Sequence, residues 1–342
     1  MTAKLEKDDY NAAMLVRRAK NVSHNAKTAR DHRCAPAVSR RIAPIRAGAS
    51  LILAAAWVAC ESPPRAHPPA TPESSRSLLT PAPAPESARF AAVQGCPPSR
   101  HEFWKGEFRD AAWLAHWAPQ ARLDYGDINL ELVPNEKFGN VLRVHYPKGS
   151  SSSSFAREGN PLGGAEFKAK FPDSAKLESI YFSYWIFFDQ GFQFVKGGKL
   201  PGVCGGSCPS GGAVVTGEGG WSMRYMWRPG GAGEEYGYIL PDTHNYGTEL
   251  GLGSWTFTTG EWHHLAEEII LNAPGRADGV LRVWFDRAPT ATPTFEATNL
   301  TYRNDTTPVS ALFFSTFFGG HDASWASPKD TYVDFARFEV CR

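Results

Sequence analysis

An all-β sandwich of the jelly-roll, lectin-like type, with one concave sheet face left to bind a ligand, is what residues 96–342 predict, and three observations carry that prediction. Apolar and polar residues alternate with a period of two, clusters of Gly, Pro, Asn and Asp interrupt the alternation, and no long segment repeats at the helical period. Aromatic residues make up 13% of the chain, and several segments carry them on both faces, as strands stacked between two sheets do.

In chain order, strands are expected at 141–146, 179–188, 221–227, 236–240, 263–271, 280–286, 312–318 and 332–340. The segments 179–188 (SIYFSYWIFF) and 312–318 (LFFSTFF) are near-continuous apolar runs, the pattern of a strand covered on both sides. The others mix polar and apolar positions, and GGKLPG at 197–202 is expected as a loop. In WSMRYMWR, Ser222, Arg224, Met226 and Arg228 point one way and Met223, Tyr225 and Trp227 the other. The same parity puts Tyr236 and Tyr238 on one face, with Gly237 offering no side chain opposite. No internal repeat appears at solenoid or propeller periods.

Charge divides the chain. Residues 1–59 hold eleven Lys and Arg against four Asp and Glu, so an overall charge of +1 leaves the remainder at about −6. A mildly acidic body excludes nucleic acid as the main partner, because phosphate binding needs a basic face. Within the leader, Arg40, Arg41 and Arg46 precede an apolar run at 49–59 that ends at Cys60, which reads as an export signal. The run is shorter than the roughly 20 residues a membrane span requires. WVAC before the mature segment is similar to a bacterial lipoprotein box, with Trp57 in place of the usual leucine and Val58 in place of a small residue, so a lipid anchor at Cys60 and plain secretion are both open. The forty residues upstream fit no signal peptide and point to a start near Val38. Residues 61–95, rich in Pro, Ala and Ser, are expected as a tether, and 96–342 as the folded domain, a monomer.

Four cysteines lie in that domain, and three pairings are possible. Cys204 with Cys208 would pin the loop beside Lys199, and Cys96 with Cys341 would clasp the domain's two ends. Zinc is the weaker reading of Cys204 and Cys208, since no second Cys or His pair stands at zinc-site spacing nearby.

A lysine, a serine, an arginine and two same-face tyrosines within 199–238 are what a metal-free β-elimination beside a carboxylate needs. At a 4-linked uronic acid the proton on carbon 5 is poorly acidic while the neighbouring carboxylate keeps its charge. A cation or amide must offset that charge, at on the order of 3 kcal/mol for each such stabiliser. A tyrosine is a poor base at its free pKa of about 10, and a neighbouring Lys or Arg is expected to lower it. Lys199, Arg224, Tyr236 and Tyr238 are the expected catalytic set, with Ser222, Arg228 and His244 as substrate ligands. No cofactor is expected; calcium is open, though no acidic cluster demands it. His263 and His264 are expected to be structural, and His321 a remote candidate for the cleft wall.

GGKLPG followed by a cysteine, the S-x-R strand, and Y-x-Y twelve residues after the arginine resemble polysaccharide lyase family 14, the alginate and glucuronan lyases of algal viruses and marine molluscs. The fungal glucuronan lyases of family 20 are similar around the same lysine. The resemblance runs through WHHLAEEIILN (262–272), DGVLRVWFDR (278–287) and FSTFFGGHDASWA (314–326). It implies a jelly roll whose active site is served by Lys199, Ser222, Arg224, Tyr236 and Tyr238, acting on an acidic polysaccharide. Three other readings compete, of which a purely structural surface protein has no use for the Lys, Arg and Tyr set. A non-catalytic carbohydrate-binding sandwich would use Trp255, Trp262 and Trp284 as sugar platforms. A glycoside hydrolase on the same fold needs two carboxylates at a set separation, and the adjacent pairs Glu234, Glu235 and Glu267, Glu268 face opposite ways.

Overall fold

A computed structural model describes residues 93, 95–172, 176–241 and 246–342, so the leader, most of the tether and His244 lie outside the described residues. In chain order the strands are β1 (Glu102–Gly106), β2 (Leu123–Tyr125), β3 (Leu130–Asn135), β4 (Gly139–Tyr146), β5 (Ala165–Lys170), β6 (Ser179–Phe188), β7 (Gly198–Gly206) and β8 (Gly220–Trp227). They continue as β9 (Gly233–Tyr238), β10 (Thr248–Leu250), β11 (Trp262–Ile270), β12 (Gly279–Phe285), β13 (Phe295–Leu300), β14 (Ala311–Phe318) and β15 (Thr331–Cys341). Among the described residues, the short α-helices α1 (Trp113–Trp117) and α2 (Ser153–Ala156) and three 3-10 turns interrupt them.

Pairing among these strands is antiparallel and makes two sheets. One runs β13-β12-β11-β6-β15-β4-β3 with β1 added on β15, and the other runs β10-β9-β8-β7-β14-β5-β2. The expected jelly-roll sandwich is what the residues build. Side chains that point inward from both sheets form one core, in which Ile180, Phe182, Tyr184 and Leu265 meet Phe167, Val203, Tyr225 and Phe314. Phe167 and Phe314 stack with ring centroids 4.6 Å apart. The clasp Cys96–Cys341 and the short bridge Cys204–Cys208 are both present.

All eight expected strands form, and one expected loop does not. GGKLPG is the start of β7, held between β8 and β14. Its glycines and proline hide the strand pattern because one residue is extra. Lys199 pairs with Met226 and Gly202 with Arg224, so three steps along β7 match two along β8, which is a β-bulge. The bulge shifts parity, so that Lys199 faces outward with Gly202 and Cys204 while Leu200 and Val203 enter the core. Gly202 is required there because a Cβ would stand 2.2 Å from the Met223 carbonyl oxygen. The strand expected at 236–240 begins earlier, at Gly233, because pairing with β8 carries it through the two glutamates.

Candidate active site

Three adjacent strands, β7, β8 and β9, bring the expected residues to the outer face of the seven-stranded sheet. Across β8 and β9, Ser222 stands opposite Tyr238, Arg224 opposite Tyr236, and Met226 opposite Glu234. Lys199 enters the group from β7, opposite Met226. Its amine lies 2.9 Å from the centroid of the Tyr236 ring and 2.6 Å from the Met226 sulfur. The Tyr236 and Tyr238 rings are 6.0 Å apart.

Arg224 is 1% exposed and is held on the same outer face by residues of β14 and β5. Its Nη1 donates to Ser315 Oγ at 3.1 Å, and Ser315 donates to Glu166 Oε2 at 2.9 Å. The Phe313 ring lies 4.5 Å from the guanidinium carbon and the Tyr238 ring 5.8 Å. Arg224 Nε has no hydrogen-bond partner among the described residues, which leaves a donor available on the site's most deeply placed cation.

Residues 209–215 cover this group. Ser222 donates its hydroxyl to the Pro209 carbonyl at 2.7 Å, and the Gly212 amide donates to the Tyr238 hydroxyl at 3.0 Å. Val215 packs against Met226, Tyr236 and Tyr238. Ser222 and Tyr238 are consequently 0% and 3% exposed. The Cys204–Cys208 bridge secures one end of the segment, and the Gly219 amide bonded to Asp305 at 2.7 Å secures the other.

Burial sets the protonation states, and here it reverses one expectation. The two arginines do pull Tyr236 toward its phenolate, but loss of water outweighs them, and its pKa rises to about 12. The tyrosine therefore keeps its proton. For Lys199 the same burial, reinforced by Arg224 and Arg228, pushes the amine well below its ordinary value. Glu234 is raised to about 7 by burial, against the pull of Arg228. The arrangement thus sets an amine that burial makes hold a proton less tightly and a phenol that burial makes hold one more tightly beside a buried guanidinium.

Several expected ligands are otherwise engaged. Arg228 shares the outer face as expected but is tied to Glu234 at 2.7 Å and to Glu249. Ser222 is committed to Pro209 in this state. Trp255 and Trp284 are buried, at 4% and 5% exposure, and present no platform to a sugar, while Trp262 is half-buried against Phe138 and Phe187. His263 is bound between Asp286 and Thr258, as a structural histidine would be. Sequence reasoning assigns no role at the site to Met226, Glu234, Ser315 or Glu166. Strand parity gives the first two the facing of Arg224 and Tyr236, whereas Ser315 and Glu166 become neighbours only through the pairing of β5 with β14.

The sequence profile described as polysaccharide lyase 14 matches residues 134–338. Among solved structures, the PL-14 alginate lyase of the marine animal Aplysia kurodai is similar at 28% identity and a TM-score of 0.59, covering 70% of this chain and 98% of that one. An alginate lyase variant in complex with an alginate tetrasaccharide shares the fold at 19% identity and a TM-score of 0.56, with 71% and 95% of the chains covered. So does an endo-β-1,4-glucuronan lyase from the fungus Trichoderma reesei, at 13% identity and a TM-score of 0.50, with 70% and 95% covered. No curated protein matches the chain.

Proposed function

The chain belongs to polysaccharide lyase family 14, a polyuronate lyase at the level of its family, and we propose that it cleaves a 4-linked polyuronate, alginate or glucuronan, by β-elimination on the outer face of the seven-stranded sheet. The observation that carries this reading is the convergence of an amine held below its usual pKa, a phenol held above its own, and a buried guanidinium on three adjacent strands. Solved alginate and glucuronan lyases of the same fold support the substrate class.

Arg224 opposes the substrate carboxylate, which makes the carbon 5 proton easier to remove, and this charge interaction grows as the enolate forms. The neutral Lys199 amine takes that proton. The electron pair of the broken C–H bond becomes the new double bond between carbons 4 and 5, the bond from carbon 4 to its oxygen breaks, and a phenol of the Tyr236 and Tyr238 pair protonates the departing oxygen. Return of the proton from the lysine ammonium to the phenolate resets the site. Tyrosine acts as the acid because burial holds its proton on, and lysine acts as the base because burial keeps its proton off.

A polymer reaches Arg224 and Tyr238 only when residues 209–215 lift, since those residues now occupy the hydroxyls of Ser222 and Tyr238. The two disulfides and the basic, apolar leader before Cys60 support action outside the cytoplasm, with secretion or a lipid anchor as the route. The deciding experiment mixes the purified protein with alginate, glucuronan and pectate separately and follows absorbance of the unsaturated uronate. A rise with alginate or glucuronan is expected, and silence with all three polymers would sink the reading.

A further inference from the structure

Beside the lysine lies a buried carboxyl group that the mechanism above leaves unused. Glu234 is 0% exposed and ends a row of three side chains at one level across the sheet, from Lys199 on β7 through Met226 on β8 to Glu234 on β9. The lysine amine already reaches along that row to the Met226 sulfur. On the carboxylate, Oε1 accepts from Arg228 Nε at 2.7 Å, while Oε2 is buried with no hydrogen-bond partner among the described residues. A buried acceptor of this kind requires an explanation, since nearly all such groups are paired in native proteins. Lys199 in turn has a ring and a sulfur for neighbours and no carboxylate partner among the described residues.

We infer that Glu234 is a positioning residue for Lys199, its unpaired oxygen stabilising the ammonium that arises when the amine takes the substrate's proton. The inference rests on the reading of Lys199 as the base and adds to it the group that balances the new charge. The charged and titratable groups around the amine are Arg224 from β8, Arg228 from the turn after it, Glu234 and Tyr236 from β9, and Glu249 from β10. The two arginines oppose the ammonium and the two glutamates favour it. Glu249 is half-exposed and already bonded to Arg228, so solvent and salt screen it. Glu234 is enclosed, and its field reaches the amine with little screening. Before the proton moves, Glu234 faces one cation, Arg228. After the move it faces two, so the interaction strengthens during the chemical step, as an effect on rate requires.

The test is Glu234→Gln, which keeps the size of the side chain and an oxygen for Arg228 but removes the charge. Loss of a favourable anion makes the ammonium harder to form. The acid limb of kcat/KM should therefore move to lower pH by about one unit, and kcat on the plateau should fall about tenfold. Glu234→Asp, which restores the charge, should return the limb toward its original position. A limb that stays in place while kcat falls would show that Glu234 merely supports the sheet and would overturn the inference. If the wild-type protein releases no unsaturated product, the lyase reading has failed separately. Titration of the Lys199 amine by NMR, in wild type and Glu234→Gln, then decides this point without turnover. A lower midpoint in the variant upholds the link and an unchanged midpoint refutes it.

Discussion

Glu234 and Glu235 are neighbours on β9, both fully buried, and they face opposite sides of one sheet. Outward, Glu234 meets Arg228 at 2.7 Å, and its pKa of about 7 is the balance of burial against that cation. Inward, Glu235 meets Glu267 of β11 across the sandwich core, with no cation beside either among the described residues. None of their four carboxylate oxygens has a donor placed for a good hydrogen bond among the described residues. Burial pushes both acids up, Glu267 to about 8 and Glu235 well above the usual carboxylate range, so at neutral pH the core pair keeps its protons. The comparison teaches that burial alone does not decide the charge of an acid on this strand. A cation on the same face lets Glu234 carry charge that chemistry can use, and without one Glu235 and Glu267 keep their protons and act only on stability.

If that division holds, outward substitutions change turnover and spare the fold, with the largest effect at the base. Lys199→Ala should lower kcat by about a thousandfold, within the range for loss of a general base. Its melting temperature should stay equal or rise, because a desolvated amine is removed. Matched turnover and melting curves check both halves, and a large loss of stability would break the comparison by showing Lys199 to be structural. Tyr238→Phe should follow at about a hundredfold, since it keeps the ring and deletes the donor hydroxyl. Tyr236→Phe should lose no more than that, its ring still lying against the lysine amine. Near wild-type rates in both would require another acid.

Inward substitution should do the reverse. A carboxyl whose folded pKa stands above its unfolded value binds its proton more tightly when folded, so unfolding releases it once the pH passes the unfolded value. Stability is then complete below about pH 4.5 and declines up to about pH 8, where Glu267 titrates in the folded state as well. The decline is about 1.4 kcal/mol per pH unit for each proton involved. Glu267→Gln should flatten that slope and raise the melting temperature at pH 8 relative to wild type, with kcat within about twofold. Urea melts from pH 5 to 8 measure it, and an unchanged slope would mean that the pair holds no excess proton.

Much of this was legible in the sequence where the contacts are local. Strand parity puts Tyr236 and Tyr238 on one face, and Arg224 joins them only if its strand is their neighbour, which holds because β8 and β9 are consecutive strands joined by a short turn through Pro229. The cysteine pairs were readable from position. The sequence puts Lys199 in the right company but in a loop instead of a strand, because the bulge that turns it outward exists only when β8 and β14 flank β7. The tyrosine pKa went the wrong way for a related reason. The arginines that lower it stand nearby in sequence, whereas the burial that raises it also comes from Val215 and the segment around it, whose path no local pattern encodes. Glu234 was seen as half of an outward and inward pair, and its meaning came only with Arg228 folded beside it.

The smallest expected effect concerns the cover over the outward face. Val215 is 6% exposed and packs on Met226, Tyr236 and Tyr238, while Val214 beside it is 80% exposed. Val215→Ala removes two methyl groups from that contact but leaves the Gly212 to Tyr238 and Ser222 to Pro209 hydrogen bonds in place. Loss of so small a packing contact is worth about 0.5–1.5 kcal/mol in a core and less at a covering segment. If the segment must lift before polymer enters, part of that energy opposes binding. The variant should then show a two- to threefold rise in kcat/KM, carried by a lower KM at unchanged kcat. Val214→Ala should change neither constant. A fall in kcat/KM for Val215→Ala would instead make the side chain part of the wall that holds the sugar, and the face would then have to open by another route.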